Sequence, residues 1–138
     1  WEYACRAGTT TPFSFGSSLN GDHANCNGKR PYGTSAEGPS KRRTAPVGSY
    51  RANGFGLYDM HGNVWEWCAD WYDAKYYGPL PVVDPVGPTG GWRRVFRGGG
   101  WGLDASCCRA SYRAWGLPPQ ILLEDHGFRL ARTVSSPP

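Results

Sequence analysis

The segment from Gly56 to Trp67, which reads GLYDMHGNVWEW, most constrains how this chain can fold. Its glycines favour a turn, whereas its aromatic ending is typical of a strand. Side chains two residues apart on a strand share one face, so Trp65 and Trp67 are expected to enter the same aromatic core, with at least one indole buried. A turn that leads into a strand is therefore predicted at the centre of the fold.

The composition favours a loop-rich domain built around aromatic side chains. The chain has 138 residues, enough for one domain, and these include 20 Gly and 12 Pro beside 7 Trp and 8 Tyr. Glycine and proline interrupt regular elements, while tryptophan and tyrosine bury large areas. We therefore expect an α+β layout with few helices and an ordered polar loop over residues 17–46. A helix is predicted to end near Ala7, and short strands are predicted near 56–58, 64–69, 94–97 and 127–133.

The basic residues are scattered apart from the run Lys41, Arg42 and Arg43, and the formal net charge is only +4. So short a run within a polar loop is typical of a solvated surface. No apolar stretch has the length needed to span a bilayer. We therefore expect neither a nucleic-acid partner nor membrane insertion.

Five sequence blocks, taken in order, resemble the formylglycine-generating enzyme family, also called sulfatase-modifying factors. The blocks are WEYACRAGTTTPFSFG at 1–16, TAPVGSY at 44–50, GLYDMHGNVWEW at 56–67, RGGGW at 97–101 and GFRLA at 127–131. The resemblance implies a C-type-lectin-like α+β fold, loop-rich with short antiparallel strands, over residues 1–134, followed by a tail at 135–138. Since the chain begins inside the first block, we expect the N-terminal part of the family domain to lie outside this sequence.

Asp59, Gly62, Val64 and Glu66 offer oxygen ligands within a short stretch. Two carboxylates that bracket a Gly-Asn turn can surround a hard cation, which binds about six to eight oxygens. The resemblance implies a structural calcium site here, formed by the side chains of Asp59 and Glu66 and the carbonyls of Gly62 and Val64. The alternative is that Asp59 caps the turn and Glu66 pairs with an arginine such as Arg129.

The five cysteines bear on whether the chain is an enzyme. The resemblance implies that family enzymes oxidise a substrate cysteine with molecular oxygen, using copper held by two cysteines at the positions of Leu103 and Cys108. Soft thiolates select Cu(I), and an alkyl side chain cannot replace one of them. The sequence therefore favours a non-catalytic domain. The alternative is a copper-dependent formylglycine-generating oxidase in which Cys108 is the retained catalytic cysteine and Cys107 takes part through a shifted register.

The other cysteines and the histidines have structural interpretations. Cys5 and Cys68 lie in apolar contexts and are expected to behave as small buried hydrophobes. A disulfide between two of Cys5, Cys68 and Cys108 is left open, because spacing does not determine connectivity. The three histidines lack the spacing of a helical metal site, so we expect them to be surface or hydrogen-bonding residues.

The segment 102–126, between RGGGW and GFRLA, carries the side chains of a contact surface. Apolar and aromatic residues on a rigidly framed loop suit a protein or peptide ligand. This part is similar to the region that varies in the variable proteins of diversity-generating retroelements, which share the lectin-like domain. The expected ligand-binding residues are Trp101, Leu103, Asp104, Ser106, Cys107, Tyr112, Trp115 and Leu117.

Around this segment the motif residues have architectural roles. Gly98 to Gly100 are expected to allow close packing or a positive φ, Phe128 to enter the core, and Arg129 to satisfy buried carbonyls. For Ile121 to Leu123, burial in a minor core is an equal alternative to exposure.

Overall fold

The computed structural model describes residues 1–78, 83, 85–116 and 124–132, and regular elements are short throughout this part. The elements are helix α1 (Glu2–Arg6), strands β1 (Trp65–Trp71), β2 (Arg94–Arg97), β3 (Ala114–Gly116) and β4 (His126–Phe128), and a 3₁₀ helix at Ala105–Cys108. The expected α+β layout with few helices is confirmed. Among the helices described, none combines the length and the apolar character needed to cross a membrane.

Helix α1 ends where the sequence predicts. Ala7 adopts a left-handed conformation with φ of 46°, and its N–H donates to the Tyr3 carbonyl at 3.1 Å. Gly8 follows with φ of 88°. Within the helix, Arg6 Nε lies 2.8 Å from Glu2 Oε1, one turn earlier. The chain therefore turns sharply after one short helix and enters the loops.

The four strands form one mixed sheet in the order β3-β2-β1-β4. Strand β1 pairs antiparallel with β2 and parallel with β4, and β2 pairs antiparallel with β3. In this register Trp67 lies opposite Phe96, and Trp65 lies opposite His126. The strand that begins with WEW is therefore a central strand of the sheet.

Aromatic side chains fill the space beside this sheet. Trp65 is buried, with its ring centroid 6.3 Å from that of Phe96 and 6.1 Å from that of Tyr112. Trp67 meets the edge of Phe96 at 4.1 Å. The predicted burial of at least one of the two indoles is confirmed.

A buried polar network holds the long loop 17–46 against the turn that precedes β1. Asn25 Nδ2 donates to the Arg43 carbonyl at 2.9 Å and to Asn63 Oδ1 at 3.0 Å. The same Asn63 oxygen accepts from the Ala45 N–H at 2.8 Å. Because these amides satisfy backbone groups across the loop, the loop is ordered without regular elements of its own.

Two expectations about the elements are wrong, and one strand was missed. Residues 56–58 form no strand, because Asn53 Oδ1 accepts from the Leu57 N–H at 3.0 Å and holds a turn there. Strand β3 was not predicted; its AWG sequence is too short to show alternation. Phe128 is exposed and does not enter the core, because β4 lies at the sheet edge and ends at this residue.

Candidate functional site

The residues predicted to bind calcium lie in the turn before β1 and at its start. Asp59 has φ of 55°, and its Oδ2 accepts from the Gly48 N–H at 2.7 Å. The buried Glu66 accepts from Trp1 Nε1 at 2.7 Å and from Arg129 Nε at 3.0 Å, both through Oε2. Its Oε1 accepts from Arg129 Nη2 at 2.6 Å. Both Glu66 oxygens are therefore engaged within the chain.

Arg129 provides the positive charge that this carboxylate needs. The hydrogen bond to Glu66 raises the pKa of the guanidinium against the opposing effect of burial, and the charges of Glu66 and Asp59 act in the same upward direction. As arranged, the residues do not fit a calcium ion, because the ion would have to displace Arg129 from Glu66. This geometry corresponds to the alternative in which Glu66 pairs with an arginine. The calcium site predicted at Asp59, Gly62, Val64 and Glu66 would therefore form only if Arg129 moved away from Glu66.

The glycines of RGGGW bring the backbone against a cysteine. Gly98 and Gly99 have φ of 91° and 76°, as expected from their sequence. A Cβ added to Gly99 would lie 2.6 Å from Cys108 Sγ. Glycine is therefore required at position 99 both for its conformation and for this close approach.

Cys108 lies at the end of the 3₁₀ helix and is 0% exposed. It packs with Cys26 in one buried cluster. The interaction between the two thiols, together with burial, raises the pKa of Cys108 well above its ordinary value. The same interaction lowers the pKa of Cys26. Cys26 was not singled out from the sequence, because nothing in the polar loop around it indicates a contact with residue 108.

The copper pair implied by the resemblance does not fit this geometry. Leu103 supplies no thiolate, and its carbonyl accepts from the Asn27 N–H at 2.9 Å. The thiol of Cys108 is buried against Cys26. All five cysteines are free thiols in the structure, so none of the disulfides left open among Cys5, Cys68 and Cys108 is present.

His61 is a buried hydrogen-bonding residue between two loops. Its Nε2 accepts from the Ser14 N–H at 3.0 Å, so the proton lies on Nδ1, which donates to the Cys108 carbonyl at 2.7 Å. Burial lowers the pKa of His61. Cys5 Sγ lies 3.5 Å from Nε2, and burial raises the pKa of that thiol to about 12. Both side chains have the structural roles expected of them.

One group of predicted ligand-binding residues follows the 3₁₀ helix. Asp104 makes an exposed ion pair with Arg30 at 3.6 Å. The Tyr112 side chain lies next to that of Cys107, and burial together with this neighbour raises the pKa of Tyr112. Trp101, Leu103, Asp104, Ser106, Cys107 and Tyr112 are all partly buried. These residues keep some accessible surface while the backbone beneath them is held by the core.

Trp115 belongs to a second group at the edge strand β3. It is 44% exposed, and the Arg93 guanidinium lies 3.5 Å from its ring centroid. Tyr72 lies 6.0 Å from Trp115, and Arg113 lies 4.8 Å from the Tyr72 ring and 4.7 Å from the Tyr77 ring. We call Tyr72, Tyr77, Arg93, Arg113 and Trp115 the arginine-aromatic cluster.

Of the five residues of this cluster, only Trp115 was predicted from the sequence. The aromatic run WYDAKYY at 71–77 is the signal that could have indicated it. Arg113 follows Tyr112 directly and contacts Tyr72, so the cluster is continuous with the first group. Leu117 and Ile121 to Leu123 lie outside the described residues.

An open cleft of about 600 Å³ lies between the loops around 14–23 and 49–54. Phe15 stacks on His23 in its wall, with centroids 5.1 Å apart, and Asp22, Tyr50 and Arg51 also line it. This cleft could not be predicted from the sequence, because it depends on how two polar loops meet. Among the predicted ligand-binding residues that the structure describes, none lines it.

Comparison with known proteins identifies relatives over almost the whole chain. Residues 1–134 match the protein family described as the sulfatase-modifying factor enzyme 1-like domain. The formylglycine-generating enzyme of Streptomyces coelicolor is 45% identical over 139 residues, which cover 95% of this chain and 44% of that enzyme. The chain therefore spans less than half the length of this relative.

Two solved structures share the fold. Treponema denticola variable protein 1 superimposes with a TM-score of 0.73 at 32% sequence identity, covering 93% of this chain and 43% of that chain. PvdO from Pseudomonas aeruginosa gives a TM-score of 0.65 at 35% identity, covering 86% and 44%. The expected loop-rich C-type-lectin-like fold is confirmed by these likenesses.

Proposed function

Since the chain belongs to the sulfatase-modifying factor enzyme 1-like family, we propose that it is a non-catalytic member that binds a protein or peptide ligand. The contact face consists of the residues from Trp101 to Trp115 that keep accessible surface, together with Leu117 and the arginine-aromatic cluster. We propose no role for nucleic acid or membrane insertion in this function.

The burial of Cys108 carries the non-catalytic part of the proposal. Oxidation of a substrate cysteine requires the reacting groups to meet, and a thiol that is 0% exposed offers no contact to an incoming peptide. Leu103 removes the second thiolate at the family position. The residues that would perform the chemistry are thus replaced or enclosed, while the surrounding scaffold is retained.

The chemistry of the contact face supports a protein or peptide ligand. Trp115 presents an aromatic surface, and the nearby guanidiniums of Arg93 and Arg113 lie over aromatic rings. Aromatic and arginine side chains are the residue types that contribute most to protein interfaces. Because the rings limit guanidinium motion, less conformational entropy is lost when these side chains engage a partner.

The likeness to Treponema denticola variable protein 1 supports a display role for this face. We propose that residues 102–117 correspond to a surface whose side chains are exchanged while the scaffold stays constant, as in a protein diversified by a retroelement. The backbone supports such exchange, because Gly98 and Gly99 and the buried Ala105 and Cys108 fix the segment from beneath.

The proposal is tested with peptides selected on the immobilised domain from a random-peptide phage library. We expect Trp115→Ala and Tyr112→Ala each to weaken a selected peptide at least about tenfold while far-ultraviolet circular dichroism stays unchanged. Tyr3→Ala is the matched control, since Tyr3 is an exposed aromatic residue outside the face. The assignment would be refuted if the selected peptides bound more weakly to Tyr3→Ala but bound to Trp115→Ala and Tyr112→Ala with unchanged affinity.

The second candidate function is the copper-dependent oxidase. Two observations favour it: the 45% identity to a formylglycine-generating enzyme, and the presence of a second thiol, Cys26, beside Cys108. Against it stand the near-complete burial of both thiols and the leucine at position 103. Mass spectrometry of a substrate peptide distinguishes the two functions, because only the oxidase changes the mass of the peptide.

A further inference from the structure

Cys26 and Cys108 bring two thiols together from distant parts of the chain. Cys26 lies in the long loop 17–46, and Cys108 ends the 3₁₀ helix. Both side chains belong to one buried cluster with Phe13, Leu19 and Ala105, and they are 1% and 0% exposed. The two side chains therefore pack together in the core. This contact joins the loop directly to the element that carries part of the contact face.

The backbone around the two cysteines is already held close. The Asn27 N–H donates to the Leu103 carbonyl at 2.9 Å, and the Ala105 N–H donates to the Arg30 carbonyl at 3.0 Å. Asn27 and Asp104 form a parallel bridge between these segments. A disulfide requires neighbouring backbone segments, and these contacts hold the loop around Cys26 next to the segment that leads into Cys108.

The remaining cysteines have other surroundings. Cys5 lies against His61, and Cys68 lies 3.9 Å from the Glu66 carbonyl. Cys107 lies next to Tyr112, and as the neighbour of Cys108 on the 3₁₀ helix its side chain leaves the helix in a different direction. All five cysteines lie within the described residues, so Cys26 and Cys108 stand out as a thiol pair.

We propose that Cys26 and Cys108 are a redox-modified pair that forms a disulfide, which tethers the long loop to the contact face. The oxidant is a small disulfide such as oxidised glutathione. The Cys26 thiolate attacks one glutathione sulfur and expels a glutathione thiolate, which leaves a mixed disulfide on Cys26. The Cys108 thiolate then attacks the Cys26 sulfur and expels the second glutathione. Both S–H bonds are broken, one S–S bond forms, and two electrons and two protons end on two molecules of glutathione.

Because both side chains are buried, the oxidant reaches them while the core is open, which places the reaction during folding. Folding then brings the second thiol to the mixed disulfide, since the two side chains pack into one buried cluster. The opposite order of attack gives the same disulfide and the same two molecules of glutathione.

The test is to refold the reduced chain with and without a mixture of reduced and oxidised glutathione. With glutathione present, we expect an intact mass lower by about 2 Da, alkylation of three thiols where the reduced protein has five, and a proteolytic fragment that joins residues 26 and 108. We expect the oxidised form to melt roughly 5–15 °C above the reduced form, because the bond restricts the unfolded chain.

Variants distinguish this pair from the other cysteines. We expect Cys26→Ser to abolish the mass change, while Cys68→Ser and Cys107→Ser retain it. Cys26→Ala is the second variant, since it keeps an apolar side chain in the cluster if serine prevents folding. Five alkylated thiols after oxidative refolding, or a bridge that includes Cys107, would overturn the proposal. Neither result depends on whether the domain binds a ligand.

Discussion

Arg129 and Glu66 form a two-point ion pair, with Nε 3.0 Å from Oε2 and Nη2 2.6 Å from Oε1. The Glu66 side chain is only 7% exposed, so this contact lies largely inside the protein. Arg129 Nη2 also donates to the Tyr58 carbonyl at 3.0 Å. Arg129, the residue that follows β4, is thereby fixed both to the central strand β1 and to the turn that precedes β1.

We predict that Arg129→Met lowers the free energy of unfolding by about 3 kcal/mol, because it leaves a buried carboxylate without its partner. Urea denaturation measures this change. The control is Lys29→Met, which removes the exposed ion pair between Lys29 and Glu37 and should change stability by about 0.5 kcal/mol or less. Equal effects of the two substitutions would contradict a structural role for the buried pair.

The same ion pair determines the expected response to calcium. Since Arg129 already neutralises Glu66, we expect the melting temperature of the wild-type domain to be the same in calcium and in a chelator. A ligand that binds only the folded state would raise it. A fall in melting temperature on chelation that disappears in Asp59→Ala and Glu66→Ala would establish the calcium site and show that Arg129 moves.

Features that depend on local sequence could be predicted. The burial of Trp65 follows from the aromatic strand pattern, and the positive φ of Gly98 and Gly99 follows from a glycine run before a turn. The choice between calcium and an arginine beside Glu66 could not be made. It depends on the parallel pairing of β4 with β1, which places Arg129 beside the strand.

Contacts between distant loops were beyond prediction for the same reason. Cys26 lies in a polar segment whose path over the 3₁₀ helix depends on the amides of Asn25 and Asn63. Trp115 was predicted to be a contact residue, but its neighbours Tyr72 and Arg93 come from separate segments. The cationic and aromatic side chains around Trp115 could therefore not be predicted from the sequence.

Gly99→Ala tests the close approach of RGGGW to Cys108. The alanine would have to adopt a left-handed conformation, and its Cβ would lie 2.6 Å from Cys108 Sγ. We therefore expect the free energy of unfolding to fall by about 2–4 kcal/mol. Gly102→Ala is the matched control, since a Cβ there has no neighbour within 4 Å. Chemical denaturation compares the two. Similar stabilities would show that the backbone at Gly99 relaxes without cost.

The titration of His61 is expected to make the free energy of unfolding depend on pH. Burial lowers its pKa below the ordinary value of 6.5, so the unfolded chain binds a proton at a higher pH than the folded chain does. Its contribution is complete above pH 6.5 and is lost as the pH falls from there toward the folded pKa. We expect the free energy of unfolding to decrease between pH 7 and about pH 5.

The variant His61→Gln identifies the source of that decrease. Glutamine does not titrate, so the slope of unfolding free energy against pH should be smaller than in the wild-type domain. His23→Gln is the control, because the His23 side chain is exposed and stacks on Phe15. If His61→Gln retains the full wild-type slope, other groups are responsible for the acid sensitivity.

The last prediction separates ligand binding from oxidation. Given Cu(I), oxygen and a sulfatase peptide that contains its target cysteine, the wild-type domain is expected to leave the peptide mass unchanged. The reason is that Leu103 supplies no thiolate and the Cys108 side chain is buried. The formylglycine-generating enzyme of Streptomyces coelicolor serves as the positive control. Conversion of a thiol to an aldehyde replaces sulfur and two hydrogens by one oxygen and lowers the peptide mass by about 18 Da. Such a loss, if abolished by Cys108→Ser, would establish the oxidase in place of the binding domain.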